Sequence, residues 1–472
     1  MKEININGAV TQCYPLTASQ RVEYSALMGI KLEAFCNIAS GFYLEYDDVD
    51  INVLKECIYD GYEKFEAMRL RIMIDEDGNP VQYIVPREDR EIRVVDFSQW
   101  REEDAHAEMT KWSNIPFHLD GSPLNEIAII RLPDHYCGVY MKIHHMTADS
   151  SSLISFYSYV LNLYCSRMFE NVDPPKTPKS YLEQLKKDLA YEAGCPARDR
   201  DKAYWEKQWE LGEPIYTPFS ERNRLIEYRE ATNNPKARYA PTSGRDFAAD
   251  IVVYDLEQEA TDRLLEFCRS NHIPVAVLLQ TALRTVFSKF AGGEKDVTFV
   301  SLVARRGTLL ESMSGGARMH FWNLRTIIEP ETTFMEALRI VQQKEFELLR
   351  HANYDCVQYK ADLEAHFGTA RGCSYQSASF TYQPMSAKSL KKENIPDIRY
   401  KSKWYTNGVA AQMVYVTVMH RPTDDGLSFN FEYQKNEVTL DEVEKLYFYI
   451  CRALFRGVED PNRTIGEILE WM

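Results

Sequence analysis

Apolar and polar positions along this chain switch repeatedly between a period of two and a period near 3.6 residues, and each switch predicts a new element. In the first 175 residues, helical spacing over "ASQRVEYSALMG" (18–29) and "DINVLKECIYDGYEKF" (50–65) alternates with extended runs. Those runs are "LRIMIDE" (70–76), "PVQYIV" (80–85), "NEIAIIRL" (125–132) and "GVYMKI" (138–143), all rich in β-branched or aromatic residues. From Ser150 onward Leu153, Ile154, Phe156, Val160, Leu161 and Tyr164 recur at near-helical spacing behind a serine-rich start suited to capping a helix. The three prolines of "NVDPPKTPKS" (171–180) read as a crossing linker, and the polar stretch 211–246 as a long, partly mobile surface excursion. Beyond it, "ADIVVYDL" (249–256), "KDVTFVSLVA" (295–304), "SASFTYQP" (377–384), "QMVYVTVMHR" (412–421) and "GLSFNFEYQ" (426–434) predict strands. "PVAVLLQTALRTVFSKFA" (274–291), "FMEALRIVQQKEFELLRH" (334–351) and "LDEVEKLYFYICRALFRG" (440–457) predict helices. The simplest architecture is two similarly built, layered α/β (α+β) halves sharing a cleft, split into residues 1–175 and 176–472.

Length supports that division, because 472 residues exceed what one ordinary core serves, and 45% hydrophobic and 12% aromatic residues suffice to fill two. A net charge of −15 argues against a general nucleic-acid binder or a protein that adheres to anionic membranes. The ten cysteines are scattered singly with no CxxC pair, as expected of reduced core thiols. No signal-peptide core and no apolar run of membrane-spanning length is present, so a cytoplasmic location is expected.

Chemistry concentrates in "YMKIHHMTADSSSL" (140–153), where His144-His145 end a strand and Asp149 precedes a helix. Working side chains are often held at such a junction. Several readings suit it. The plainest is a pair that only satisfies hydrogen bonds at the strand end. A metal site is weakly indicated, since adjacent strand side chains point to opposite faces and no other His or Cys lies nearby, so no metal is expected. A serine triad lacks the GxSxG elbow around "DSSS". The spacing best suits one cleft-facing imidazole on a turn stiffened by the aspartate.

Read in order with its neighbours, this motif resembles that of the condensation domains of nonribosomal peptide synthetases, in the chloramphenicol-acetyltransferase-like superfamily. "PLTASQRVEYSAL" (15–27) is similar to the family's opening motif, with Thr17, Ser19, Gln20 and Arg21 in place. "AMRLRIMIDEDGNPVQYIV" (67–85) resembles the second through Arg69 and Arg71, and "IPFHLDGSPLNEIAII" (115–130) the lead-in to the active-site strand. "HHMTADSSS" (144–152) fits HHxxxDGxS at every fixed position but one. "KAYWEKQW" (202–209), "VARRGTLLESMSGGARMHFWNLRTII" (303–328), "SFTYQP" and the closing segment from Glu437 continue the resemblance over nearly the whole chain. The departures are Ser150, where the family usually has glycine; His320, where it usually has asparagine; and a loose fourth motif around Tyr181. Ser150 is expected to put a Cβ on a tight turn near the channel.

The resemblance implies a V-shaped pseudodimer of two acetyltransferase-like subdomains with the active site in the tunnel between them. It implies amide formation between an acyl or aminoacyl thioester, held on the phosphopantetheine of a peptidyl or acyl carrier protein, and an amine on a second carrier or in free form. No bound cofactor is expected. By position His145 is the catalytic residue and His144 supports its loop. Asp149 pairs with an arginine that locks the turn; counting back from Gly316 favours Arg306, with Arg305 the rival. Ser150 and Ser152 belong to the same support, and Gln20, Arg69, His320 and Tyr382 are candidates to line or brace the channel, as is Trp205. Docking on carrier proteins, themselves usually acidic, would use local basic segments: 304–307, 185–187 and 389–394. A monomer, either stand-alone or part of a larger synthetase beside an adenylation domain, is expected. Two alternatives are a CoA-thioester-dependent relative, although the plant DFGWG motif is absent, and a non-catalytic recruitment domain.

Overall fold

The computed structural model describes residues 2–6, 8–45, 48–242, 244, 246–384, 399–421 and 424–470. They fall into two units, each assembled from distant stretches of sequence. The first comprises Met1–Cys195, Ala304–Met319 and the described part of 388–408; the second comprises Pro196–Val303, His320–Ala387 and Val409–Met472. The opening stretch of the first unit therefore runs on to Cys195, past the boundary read at 175/176, and two later segments join it.

The first unit carries β1 (Lys2–Ile6), β2 (Ala9–Pro15), β3 (Asn37–Glu45), β4 (Leu70–Ile74), β5 (Pro80–Ile84), β6 (Arg93–Asp96), β7 (Asn125–Arg131) and β8 (Tyr136–His144). Its helices are α1 (Ala18–Ile30), α2 (Ile51–Lys64), α3 (Glu102–Ser113), α4 (Ser150–Met168) and α5 (Tyr181–Glu192). Strands β1, β2, β5 and β4 form one sheet in that order, and a second runs from the strand Tyr400–Tyr405 through β3, β8 and β7 to β6. β8 lies in its middle, antiparallel to both β3 and β7. Every residue of β8 after Tyr136 is buried, which is why "YCGVYMKIH" shows no polar alternation. On one face α2 and α4 bring Leu54, Ile58, Leu153 and Phe156 into a core with Met141 and Ile143. On the other, Ala105 and Met109 of α3 join Ala128, Ile130 and Tyr140. Only Ala105, Met109 and Ser113 of α3 are buried, a stripe too narrow within "EEDAHAEMTKWS" to predict the helix from periodicity.

In the second unit a sheet orders Ala249–Asp255, Leu427–Gln434, Val414–His420, Ala378–Gln383, Asp296–Val303 and His320–Ile327. The helix Val275–Phe290 is buried over most of its circumference. Its two threonines, Thr281 and Thr285, satisfy their hydroxyls by donating to the carbonyls of Val277 and Thr281 one turn back.

The segment 211–246 is not the surface excursion its polarity suggests. Arg224–Thr232 is a helix, and Tyr216, Phe219, Leu225, Ala237 and Ala240 are buried. The segment is fixed by hydrogen bonds from the Tyr216 N–H to the Arg238 carbonyl and from the Thr217 N–H to the Tyr375 carbonyl. Irregularly spaced apolar anchors leave no periodic signature, so composition alone misreads such a segment. Among the described residues no single helix is long and apolar enough to cross a membrane.

Phe156 ties α4 to the sheet core at 1% exposure, with Phe65 edge-on at 5.5 Å. Phe156→Ala is expected to lower the unfolding free energy by about 3–5 kcal/mol, read from the denaturant midpoint, because the cavity cannot collapse between α2 and β8.

Candidate active site

β8 delivers the histidine pair by carrying a fully buried strand to an abrupt end. The His144 N–H donates to the Leu124 carbonyl at 2.8 Å and the His145 N–H to the Cys36 carbonyl at 2.6 Å, so backbone pairing fixes both residues. Side-chain alternation puts His144 on the face of Tyr140 and Lys142. The turn closes as Thr147 donates both its N–H and its hydroxyl to the His144 carbonyl.

The two rings occupy different environments. His144 is 1% exposed, and its Nδ1 accepts the Met146 N–H at 3.2 Å, which assigns the ring proton to Nε2. Burial, and then the neighbouring His145, push its pKa down to about 3, so the ring is neutral near pH 7. The His145 side chain keeps 18% exposure, yet its Nδ1 is buried, so the solvent-facing part of the ring lies elsewhere.

Asp149 caps α4 by accepting the Ser152 N–H at 2.9 Å, and the same carboxylate takes two more donors. Arg306 Nη2 reaches Oδ1 at 2.7 Å and the Arg318 N–H reaches Oδ2 at 2.9 Å. Salt bridge and helix cap thus coexist in one side chain. Of the two arginines considered, Arg306 makes this contact; Arg305 bonds the Ser19 hydroxyl and the Arg318 carbonyl instead. Burial alone would raise the Asp149 pKa, but Arg306 and the N–H groups of Arg318 and Ser152 outweigh it and hold the carboxyl below its ordinary value.

Ser152 is buried and its hydroxyl accepts the Gly316 N–H at 3.1 Å. Gly316 has φ of 83°, and a Cβ there would meet Tyr181 at 2.3 Å, so both backbone sign and space require glycine. Ser150 opens α4 and is absent from the positive-φ residues, so its Cβ sits on ordinary helical backbone rather than on a strained turn.

The remaining candidates fall into bracing positions. Gln20 is fully buried, exchanges amide hydrogen bonds with Gln82 and donates to the Met146 carbonyl at 3.1 Å, tying α1 to the turn after His145. Arg69, 8% exposed, donates to the carbonyls of Tyr62 and Pro86. In the second unit His320 is buried with Nδ1 2.9 Å from the Ala352 carbonyl, and Trp205 stacks on Trp322 at 3.8 Å. Tyr382 is half-buried and its hydroxyl bonds His420 Nε2 at 2.7 Å.

Sequence reasoning overlooked two neighbours. Glu23 lies on the buried stripe of α1 with Gln20 and Leu27, and its Oε1 is 3.7 Å from His145 Nδ1. A carboxylate at a core-facing helical position was the available signal. Arg318, 2% exposed, pairs with Asp188 at 2.6 Å and Glu311 at 3.1 Å, and nothing in "SGGARMH" announces that. Of the basic segments, 304–307 turns both arginines inward to the contacts above, so its charge serves the fold. Lys186 and Lys187 are exposed, and 389–394 lies outside the described residues.

A model of the Condensation domain family matches residues 10–470. Surfactin synthase subunit 1 of Bacillus subtilis (strain 168) is 22% identical over 96% of this chain, and a plipastatin synthase subunit of the same organism is 20% identical over 96%. The chain spans only 12% and 17% of those two proteins, respectively. Among solved structures, the first condensation domain of the calcium-dependent antibiotic synthetase in complex with a substrate analogue superposes with a TM-score of 0.78 at 19% identity, covering 97% of this chain and 99% of that one. The starter condensation domain of rhizomide synthetase gives 0.71 at 17% identity, covering 96% and 98%. The chain thus shares the fold of condensation domains.

Removing either partner of the Asp149–Arg306 pair strands a buried charge. Asp149→Asn and Arg306→Met are each expected to cost about 3–5 kcal/mol in chemical denaturation, and the double variant clearly less than their sum.

The depressed His144 pKa also makes acid-side stability measurable. An unfolded chain takes up the proton near the ordinary value of 6.5 while the folded one resists to about 3, so stability is lost as pH falls through that window. From pH 7 to 5 this amounts to about 2 kcal/mol. His144→Asn, whose amide oxygen can accept the Met146 N–H, is expected to remove most of that loss in pH-dependent unfolding. Asp149 acts lower: its contribution is present above its unfolded value of about 3.9 and lost as pH falls through its depressed folded value.

Proposed function

The chain belongs to the condensation-domain family, and on that premise we propose that it is an acyltransferase that joins a carrier-bound acyl or aminoacyl thioester to an amine. The observation that carries this reading is the environment of His145: a part-exposed imidazole at the end of a buried strand, one turn before a helix locked by Asp149 and Arg306. A thioester is already activated, so the protein has chiefly to align two reactants and manage one proton. The amine nitrogen attacks the thioester carbonyl, His145 accepts the amine proton as the C–N bond forms, and the C–S bond breaks as the proton passes to the departing thiolate. A neutral His144 suits this scheme, because a second positive charge beside His145 would oppose protonation there.

Asp149 takes no part in the proton transfer. Both of its oxygens are engaged, Oδ1 by Arg306 and Ser152 and Oδ2 by Arg318, so it holds the turn. The partners in this reading are donor and acceptor carrier proteins bearing phosphopantetheine, with an adenylation domain in the same assembly, as befits relatives that are synthase subunits.

Mass spectrometry of products from a panel of acyl-pantetheine and acyl-carrier thioesters, offered with free and carrier-bound amino acids, tests this. His145→Ala is expected to lower amide yield by roughly 10²–10⁴. Equal yields from both proteins would remove His145 from the chemistry. Product from acyl-CoA but not from carriers would favour a CoA-dependent relative, and binding of carriers without product a recruitment role.

A further inference from the structure

We propose that Glu23 is a positioning residue for His145, fixing the ring with its proton on Nδ1 and leaving Nε2 to take the proton of the incoming amine. This inference rests on the catalytic reading of His145 and extends it.

Glu23 Oε1 and His145 Nδ1 face each other at 3.7 Å, just beyond a hydrogen bond and well within Coulombic range. Catalytic hydrogen bonds are often this long before substrate binds and tighten afterwards. His145 Nδ1 is buried and makes no hydrogen bond among the described residues, and the Glu23 carboxylate is an acceptor that faces it. The Glu23 side chain is 6% exposed. It cannot swing into solvent without leaving a gap in the stripe Gln20–Glu23–Leu27 of α1.

Both sides are held independently. The His145 backbone is bonded to the Cys36 carbonyl, and the Cys36 thiol in turn donates to the Glu23 carbonyl at 3.8 Å. Gln20, one turn earlier on α1, grips the Met146 carbonyl directly after His145. The helix that carries the carboxylate is therefore tied to the turn that carries the imidazole at two points.

The titratable groups coupled to this pair are few. His144 is adjacent and held neutral, and the Cys36 thiol, on the segment leading into β3, is pushed well up by burial and then by Glu23 itself. Burial raises the Glu23 pKa and the neighbouring His145 offsets part of that rise. When Nε2 accepts the amine proton, the resulting imidazolium lies against the Glu23 carboxylate, which stabilises the positive ring without moving a side chain.

The test uses the full chain labelled with ¹³C and ¹⁵N in histidine, His145→Ala supplying the assignment. In the wild type, His145 is expected in the Nδ1–H tautomer, and the Nδ1–H share is expected to fall in Glu23→Gln. Glu23→Gln keeps size and an acceptor oxygen but loses the charge. Its kcat is expected to fall roughly tenfold with KM for the thioester little changed. Glu23→Asp should recover part of the Nδ1–H share. An Nε2–H tautomer in the wild type, or the same tautomer populations in wild type and folded Glu23→Gln, overturns the proposal; the first needs no variant. If His145→Ala stays fully active while Glu23→Gln shifts the tautomer populations, the catalytic reading fails and the pairing stands. If His145→Ala is inactive and the populations do not move, the pairing fails and the catalytic reading stands.

Discussion

The carboxylate of Asp149 is the constraint on which the rest of the candidate site depends. One buried side chain caps α4 through Ser152, takes the guanidinium of Arg306 and accepts the N–H of Arg318. It thereby pins a segment more than 150 residues away in sequence onto the turn that follows the histidines. A buried carboxylate without such partners would protonate or unfold its surroundings; with them it becomes a fixed vertex. Ser152 adds a fourth link through Gly316, and Arg318 extends the network outward to Asp188 and Glu311.

This vertex explains a division of labour among residues that look alike in sequence. His144 and His145 are neighbours, yet one ring is sealed in the first unit, with a proton position set by the Met146 N–H, while the other keeps an exposed edge. The difference follows from the strand ending between them: alternation sends His144 into the packed face, and the turn releases His145. Arg305 and Arg306 divide similarly. Arg305 sits at φ of 47° and braces Ser19, whereas Arg306 reaches Asp149.

Much of the fold was legible because hydrophobic period is a strong signal where an element has one buried face. α1, α2, α4, β7, β8 and the long helices of the second unit are of that kind. α3 escaped because its buried stripe is three small or flexible side chains among charges. The stretch 211–246 was misread because its anchors Tyr216, Phe219 and Leu225 follow no period, and only contacts with remote strands and turns give them a core to enter. Glu23 illustrates a third kind of loss: the residue was visible on the apolar face of α1, but its meaning depends on what faces it.

The sequence by itself determined the order of the strongly periodic elements, the location of the histidine pair at a strand end, the aspartate at a helix start and the family resemblance that ranks His145 above His144. Those properties are local, or nearly so, since period, capping and turn chemistry act over a few residues. Only the tertiary structure decided which arginine meets Asp149, that Ser150 sits unstrained in the first turn of α4, that Gln20 and Arg69 brace rather than face solvent, and that a buried glutamate stands opposite the part-exposed histidine. Each of these is a pairing between chain segments far apart in sequence, and their selection is made by burial: inside a core every charge and donor must find a partner, and the partner is whichever group the packing brings within reach.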